Sequence, residues 1–253
     1  MLNNKKQKRQ ELIGSISIFI ESYIFSMIAF FLSYNNIRKI IPNWANILNV
    51  FESLSLLSID NISFISQMIV TAILAFVNAF VGFLLIVRKK PLQKPRGSLE
   101  IFIPMISTYF WITYNVIPYI PQKLNFYLVS ANSLLFFSFA GSIIVLAGCV
   151  ISAIAVFNLR RSFSVLVQVR DIVKHGLYRY VRHPIYFGYI ITAIGLSQVS
   201  PQFFFVLLSS IHVILLVYRA YLEEKKLAAY SREYREYMQN TPFLFPFKFK
   251  RLT

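Results

Sequence analysis

Residues 176–189 read Gly-Leu-Tyr-Arg-Tyr-Val-Arg-His-Pro-Ile-Tyr-Phe-Gly-Tyr, and beyond one apolar hairpin comes Arg219-Ala-Tyr-Leu-Glu223-Glu224. The first block is a cationic, aromatic turn ending in Arg182-His183-Pro184 at the mouth of an apolar segment. Proline suits the first position of a helix, because its φ is already helical and its missing N–H would be unpaired there anyway. Arg182 and His183 therefore stand at a helix N-terminus, where free N–H groups and the positive dipole end favour an anion. Arg219 and Glu223 are four apart and share a helical face, where an ion pair is the plain expectation. Together these Arg, His, Tyr and Glu side chains suit the holding of a charged small molecule against an apolar partner.

The elements that must position them are membrane helices. Of 253 residues, 57% are hydrophobic and 14% charged, with 25 Phe and 15 Tyr, more apolar surface than one soluble core can hide. Crossing a bilayer takes about 20 apolar residues. Stretches of that order run over 12–32, 62–87, 99–118 and 127–157. A fifth, 184–218, is too long for one span and is broken at Ser200-Pro201, so it reads as two short helices folding back. The expected fold is an all-α integral membrane protein of about six crossings, the last two a short helical hairpin, with a cytoplasmic C-terminal catalytic segment. Residues 1–157 form the bundle of about four spans, and 158–253 a module with the hairpin 184–219 and a cytoplasmic tail. Residues 34–61 are polar and read as a loop or interfacial helix on the far side.

Charge supports the same topology. A net charge of +16 would suit nucleic acid only if the basic residues were gathered on a soluble face, but here they flank apolar runs. With the N-terminus inside, 23 of the 26 Lys and Arg fall in 1–11, 88–98, 158–183 and 219–253, leaving Arg38, Lys39 and Lys123 outside. Both termini and both chemical blocks are then cytoplasmic. The basic start resembles a signal-peptide n-region without a small-residue cleavage site, which predicts a retained first span. The lone Cys149 makes no intramolecular disulfide. Glu21 sits mid-span, where an ionised side chain costs about 2.5–3.5 kcal/mol, so it should face the interior, with pairing to Ser, Tyr or Asn side chains the leading expectation and a substrate-path role the alternative. The run 88–96 reads as a topology determinant touching anionic lipid. A transporter would need repeated broken helices, and no such internal repeat is apparent.

Dinucleotide and phosphate loops, His-Glu-x-x-His, Cys pairs and the nucleophile elbow are all missing, so no metal site is expected. What is present is Gly176, Tyr178, Arg182, His183, Pro184, Tyr186 and Gly188, then Arg219, Glu223, Glu224 and Leu227, then Glu233, Tyr234, Tyr237 and Pro246. In that order and spacing they resemble the isoprenylcysteine carboxyl methyltransferase family, and are similar to the related phospholipid N-methyltransferases, over about residues 158–248. The resemblance implies S-adenosylmethionine bound on the cytosolic side by the Arg-His-Pro segment, the Glu-Glu helix and the folded tail, with a lipophilic substrate entering from the bilayer and no nucleic acid. This chain departs in having Arg170 where many members have His, Tyr230-Ser231 in place of Phe-Gly, and no Arg in the tail 241–246.

Carried over by the resemblance, the cofactor-binding residues are Tyr178, Arg182, His183, Pro184, Tyr186, Gly188, Glu223, Tyr234 and Tyr237. The catalytic residues are Arg219, Glu223 and Glu224. Methyl transfer needs an in-line approach with water excluded. A Glu beside a cationic cofactor is electrostatically apt, and Arg219 would orient an anionic acceptor. A carboxylate is already ionised at neutral pH, whereas an ammonium must first lose a proton. Arg179, Arg182 and Arg219 make the mouth cationic, which favours a carboxyl acceptor. Phospholipid N-methylation and methylation of a small thiol are the alternatives.

Overall fold

A computed structural model describes residues 12, 16, 19–43, 59–110, 113, 119–121 and 123–246. A π-turn, Ile20–Ile24, leads into α1 (Phe25–Ile40), followed by α2 (Ile59–Val87), α3 (Leu99–Tyr109), α4 (Ala131–Leu159), α5 (Pro184–Val199), α6 (Phe203–Tyr230) and α7 (Arg232–Asn240). No β-strand occurs among the described residues. Two helical stretches, Phe136–Ser162 and Phe203–Tyr230, are long and apolar enough to cross a membrane, while 71–87, α3 and α5 are shorter apolar helices. Met27, Phe31, Phe76, Phe136 and Ile214 point outward and exposed, so these helices are apolar outside as well as inside. That is the surface of a protein dissolved in lipid.

Small residues decide how α4 and α5 meet. A Cβ on Gly141 would fall 2.6 Å from the Gly195 carbonyl, one on Gly195 2.6 Å from the Val145 nitrogen, and one on Gly188 2.8 Å from the Gly148 carbonyl. The positions run in opposite directions, so the helices are antiparallel with their backbones in direct contact, as small residues permit in membrane bundles. α5 starts at Pro184, with His183 at the N-cap position, and stops at Ser200 before Pro201. α7 is separated from α6 by extended Ser231, whose hydroxyl accepts from the Tyr234 N–H at 3.3 Å. The Ser231 departure therefore acts as an N-cap.

Between α4 and the Arg-His-Pro turn runs a buried strap, residues 163–170. Phe163, Val165, Leu166, Val167, Gln168, Val169 and Arg170 are all buried in it. Non-helical backbone inside a bundle must find partners. Val167 N–H donates to the Glu100 carbonyl at 3.2 Å, Leu92 N–H to Val169 at 2.8 Å and Val169 N–H to Gln93 at 3.0 Å.

Several expectations change. The second hairpin helix is not short, because α6 has 28 residues and carries Arg219, Glu223 and Glu224 within its length. The first helix continues past residue 32 to Ile40, so of the loop or interfacial helix expected over 34–61 the start is helix continuous with the first span, while 44–58 lie outside the described residues. The third ends at Tyr109, and most of the stretch expected to follow also lies outside the description, as do residues 1–11 and with them the signal-like start. Glu21 pairs with Arg88 at 2.7 Å rather than with neutral side chains alone. Arg88 is thereby withdrawn from the lipid-facing role expected of its run.

Candidate active site

Two helices and the tail build the cluster. The 3₁₀ turn Gly176–Arg179 opens on Gly176 with φ 60°, a left-handed backbone that glycine adopts without strain. The side-chain oxygen of Asn158 at the end of α4 accepts from the Leu177 N–H at 2.9 Å and pins this turn. Three residues on, the chain pairs with the returning tail. Arg182 N–H donates to the Pro242 carbonyl at 2.9 Å and His183 N–H to the Phe243 carbonyl at 3.2 Å. The unpaired amides before α5 are thus satisfied by residues 241–246, which close over the Arg-His-Pro turn.

His183 lies between two neighbouring carboxylates of α6. Its Nε2 is 3.3 Å from Glu224 Oε1 and its Nδ1 3.9 Å from Glu223 Oε2. The ring stacks on Tyr186 with centroids 5.5 Å apart and meets Phe243 edge-on at 5.2 Å. Glu224 Oε1 also pairs with Arg182 Nε at 2.7 Å, while Arg182 Nη1 donates to the Met238 carbonyl. Glu223 Oε1 accepts from the Tyr186 hydroxyl and, at 3.3 Å, from Arg219 Nε. Glu224 is anchored through Oε1 to both Arg182 and His183, and Glu223 through Oε1 to Tyr186 and Arg219, with its Oε2 turned toward His183 Nδ1 at 3.9 Å.

Arg219 is almost wholly buried and its nitrogens all have partners. Nη1 donates to Thr108 Oγ1 at 2.7 Å and Ser107 Oγ at 3.3 Å, Nη2 to the Val165 carbonyl at 2.5 Å, and the guanidinium lies over the Tyr186 ring. It is a clamp across α3, the strap, α5 and α6. Two of the three arginines expected to make the mouth cationic are therefore paired with carboxylates, and only Arg179 remains exposed. The charge argument for a carboxyl acceptor is weaker than the sequence suggested.

The tyrosines form the wall behind. Tyr237 hydroxyl donates to the Tyr178 carbonyl, and Tyr234 packs edge-on against Tyr237 at 5.7 Å. Burial, with Glu223 adding, holds the Tyr178 hydroxyl well above its usual range, and burial with Glu224 raises Tyr234 likewise. Pro184 is buried at the first position of α5, and Gly188 faces Gly148 and Ser152 of α4, at the helix seam rather than among the carboxylates. Arg170 does not reach the cluster. It donates to the Lys89 carbonyl and, at 3.0 Å, to Gln168, and burial followed by the nearby Arg88 charge lowers its pKa to about 10. A cavity of about 470 Å³ beside Arg96, Glu100, Lys225 and Lys226 takes in none of the cluster residues.

Sequence reasoning missed the partners that come from elsewhere: Ser107, Thr108, Phe243 and the carbonyls of Val165, Pro242 and Met238. Backbone acceptors leave no residue-type signal, and Ser107 and Thr108 are ordinary residues of an apolar helix.

Comparison with known proteins bears on the same elements. Residues 141–229 match the model of the isoprenylcysteine carboxyl methyltransferase (ICMT) family. The stretch begins inside α4, earlier than the resemblance at 158, and stops before Tyr234, Tyr237 and the tail. Two probable protein-S-isoprenylcysteine O-methyltransferases, from Oryza sativa subsp. indica and subsp. japonica, are each 32% identical over 125 residues, 44% of this chain. The chain spans 62% of the length of these relatives. Apolar helices and family match together point to a membrane protein. Over residues 141–229, which carry the Arg-His-Pro turn and both glutamates, the chain matches the isoprenylcysteine carboxyl methyltransferase family that its motifs resemble.

Proposed function

We propose that this protein is an S-adenosylmethionine-dependent membrane methyltransferase that esterifies a carboxylate on a lipophilic, isoprenylcysteine-like acceptor. The observation that carries the reading is the pair Glu223 and Glu224 on either side of buried His183, within the family-matched stretch. The donor set fits the cofactor. Two adjacent carboxylates suit an ammonium or sulfonium, and the rings of His183, Tyr186 and Phe243 suit an adenine or thioether. When bound, S-adenosylmethionine supplies the methyl group as an electrophilic sulfonium.

Arg182, His183, Pro184, Tyr186, Glu223 and the Tyr178, Tyr234 and Tyr237 wall hold and orient the cofactor, and the tail excludes water. Arg219 acts by fixing Glu223 and Tyr186. Glu224 keeps Arg182 and His183 in register, and Gly188 lets α5 close on α4. A carboxylate acceptor needs orientation only, so none of these residues has to take a proton. Multi-pass topology of about six crossings with both termini cytoplasmic completes the proposal, supported by the split of basic residues.

One observation favours a second reading. Because Arg182 and Arg219 are neutralised by Glu224 and Glu223, the mouth does not repel an ammonium, and phospholipid N-methylation stays open. Purified protein given labelled S-adenosylmethionine with a prenylcysteine or with phosphatidylethanolamine decides between them. The expected product is a base-labile methyl ester on the prenylcysteine. Label found only in base-stable N-methylated lipid would overturn the carboxyl assignment.

A further inference from the structure

Glu21 lies outside the family-matched stretch, and nothing in the site touches it. Yet it is fully buried, in a π-turn that swings it toward the strap. Its Oε1 accepts from Val165 N–H at 2.6 Å, Ser164 hydroxyl at 2.8 Å and Leu166 N–H at 3.0 Å, and pairs with Arg88 Nη1 at 2.7 Å, while Oε2 accepts from the Gln168 amide. A buried charge is costly unless it is paired and fully hydrogen-bonded, and this one is. A π-turn is itself an uncommon local geometry, often found at functional sites.

The contacts lead onward. Val165 gives its N–H to Glu21 and its carbonyl to Arg219 Nη2 at 2.5 Å, and Arg219 Nε holds Glu223 Oε1 at 3.3 Å. Rotation of the strap at Val165 would therefore release the guanidinium and with it the oxygen that anchors Glu223. From this geometry we infer that Glu21 is a positioning residue for the site, acting through Val165 and Arg219 on Glu223. Its effect on affinity rests on the cofactor reading above, but its effect on Glu223 does not.

The test removes both buried charges at once, because Glu21→Gln alone leaves the buried Arg88 charge without its carboxylate. Glu21→Gln/Arg88→Gln, Arg219→Lys, the triple variant and a core control, Val145→Ala, are compared with the unaltered protein in detergent. S-adenosylmethionine affinity is read by calorimetry, Glu223 accessibility by carbodiimide labelling with mass spectrometry, and stability by melting. The expected result is an affinity loss of about tenfold in the neutral pair, of the size a lost charge-assisted contact gives. The triple variant should lose no more than the worse of its parents, since one path is broken twice. Labelling of Glu223 should rise by about threefold as its anchor opens. Val145→Ala should melt lower with neither change. Affinity within about twofold of the unaltered protein, multiplied losses in the triple variant, or equal changes in Val145→Ala would each overturn the inference. If the unaltered protein does not bind S-adenosylmethionine, the methyltransferase reading fails, and unchanged or increased labelling of Glu223 then decides the positioning role alone.

Discussion

His183 has a carboxylate on either side, and the two carboxylates are neighbours in sequence with different duties. Glu224 is tied to Arg182 and so to the tail, whereas Glu223 is tied to Tyr186 and Arg219 and so to the helix interior. We expect His183→Ala and Glu223→Gln each to weaken S-adenosylmethionine binding about tenfold, the 1.4 kcal/mol scale of a charge-assisted hydrogen bond. Melting should shift little in Glu223→Gln, whose side chain keeps some exposure, and more in His183→Ala, which removes a buried ring packed on Tyr186 and Phe243. Calorimetric affinities near that of the unaltered protein in both variants would assign these residues to the fold instead. The Arg219–Glu223 pair was legible from spacing alone, since an i,i+4 relation needs only a helix. The division between the two glutamates was not, because it depends on which neighbouring element each side chain meets.

At the scale of elements, α7 is docked onto the Tyr178 turn through the Tyr237 hydroxyl, and this docking should be titratable. Burial, opposed by the Arg182 charge and reinforced by Glu224, pushes the Tyr237 hydroxyl up to about 12, from an ordinary value near 10. A raised native pKa means that the protonated form binds its proton more tightly when folded. The associated stability is complete below about pH 10 and lost as pH rises toward 12. Melting temperature should fall across that window, and Tyr237→Phe should flatten the fall while starting lower, having lost the bond to the Tyr178 carbonyl. An identical slope in the variant would exclude Tyr237 as the titrating group.

Helix existence was readable from apolar length and from Pro184 and Pro201, but the end of α6 was not. Hydropathy marks where a chain leaves lipid, whereas a helix ends where its backbone does. Leu222 to Ala229 includes Leu, Glu, Lys and Ala, all good helix formers, so α6 runs on to its stop at Ser231. The strap was illegible for a different reason. Val165-Leu166-Val167 looks like any apolar stretch, and its partners lie far away in the chain, on α3, α6 and the π-turn.

For the whole molecule, the distribution of basic residues predicts orientation. Lys94→Cys in a Cys149→Ala background should react with a membrane-impermeant thiol reagent only from the cytoplasmic side. Reaction only from outside would overturn the six-crossing topology. Glu21, paired with Arg88 and hydrogen-bonded to Ser164, Val165, Leu166 and Gln168 of the strap, joins the N-terminal helices to the C-terminal module, a link that composition could not reveal because each charge taken singly looked anomalous or lipid-facing. The glycine seam has a mechanical consequence. α5, with 16 residues, is only about 24 Å long, less than the roughly 30 Å of hydrocarbon it would have to cross, whereas α4 has 29 residues. With only small side chains and glycine backbone at the seam, the two helices would tilt together when the bilayer thins or thickens. The height of His183 in the membrane would then follow the long helix α4 rather than α5 itself, making membrane thickness a variable of the proposed site.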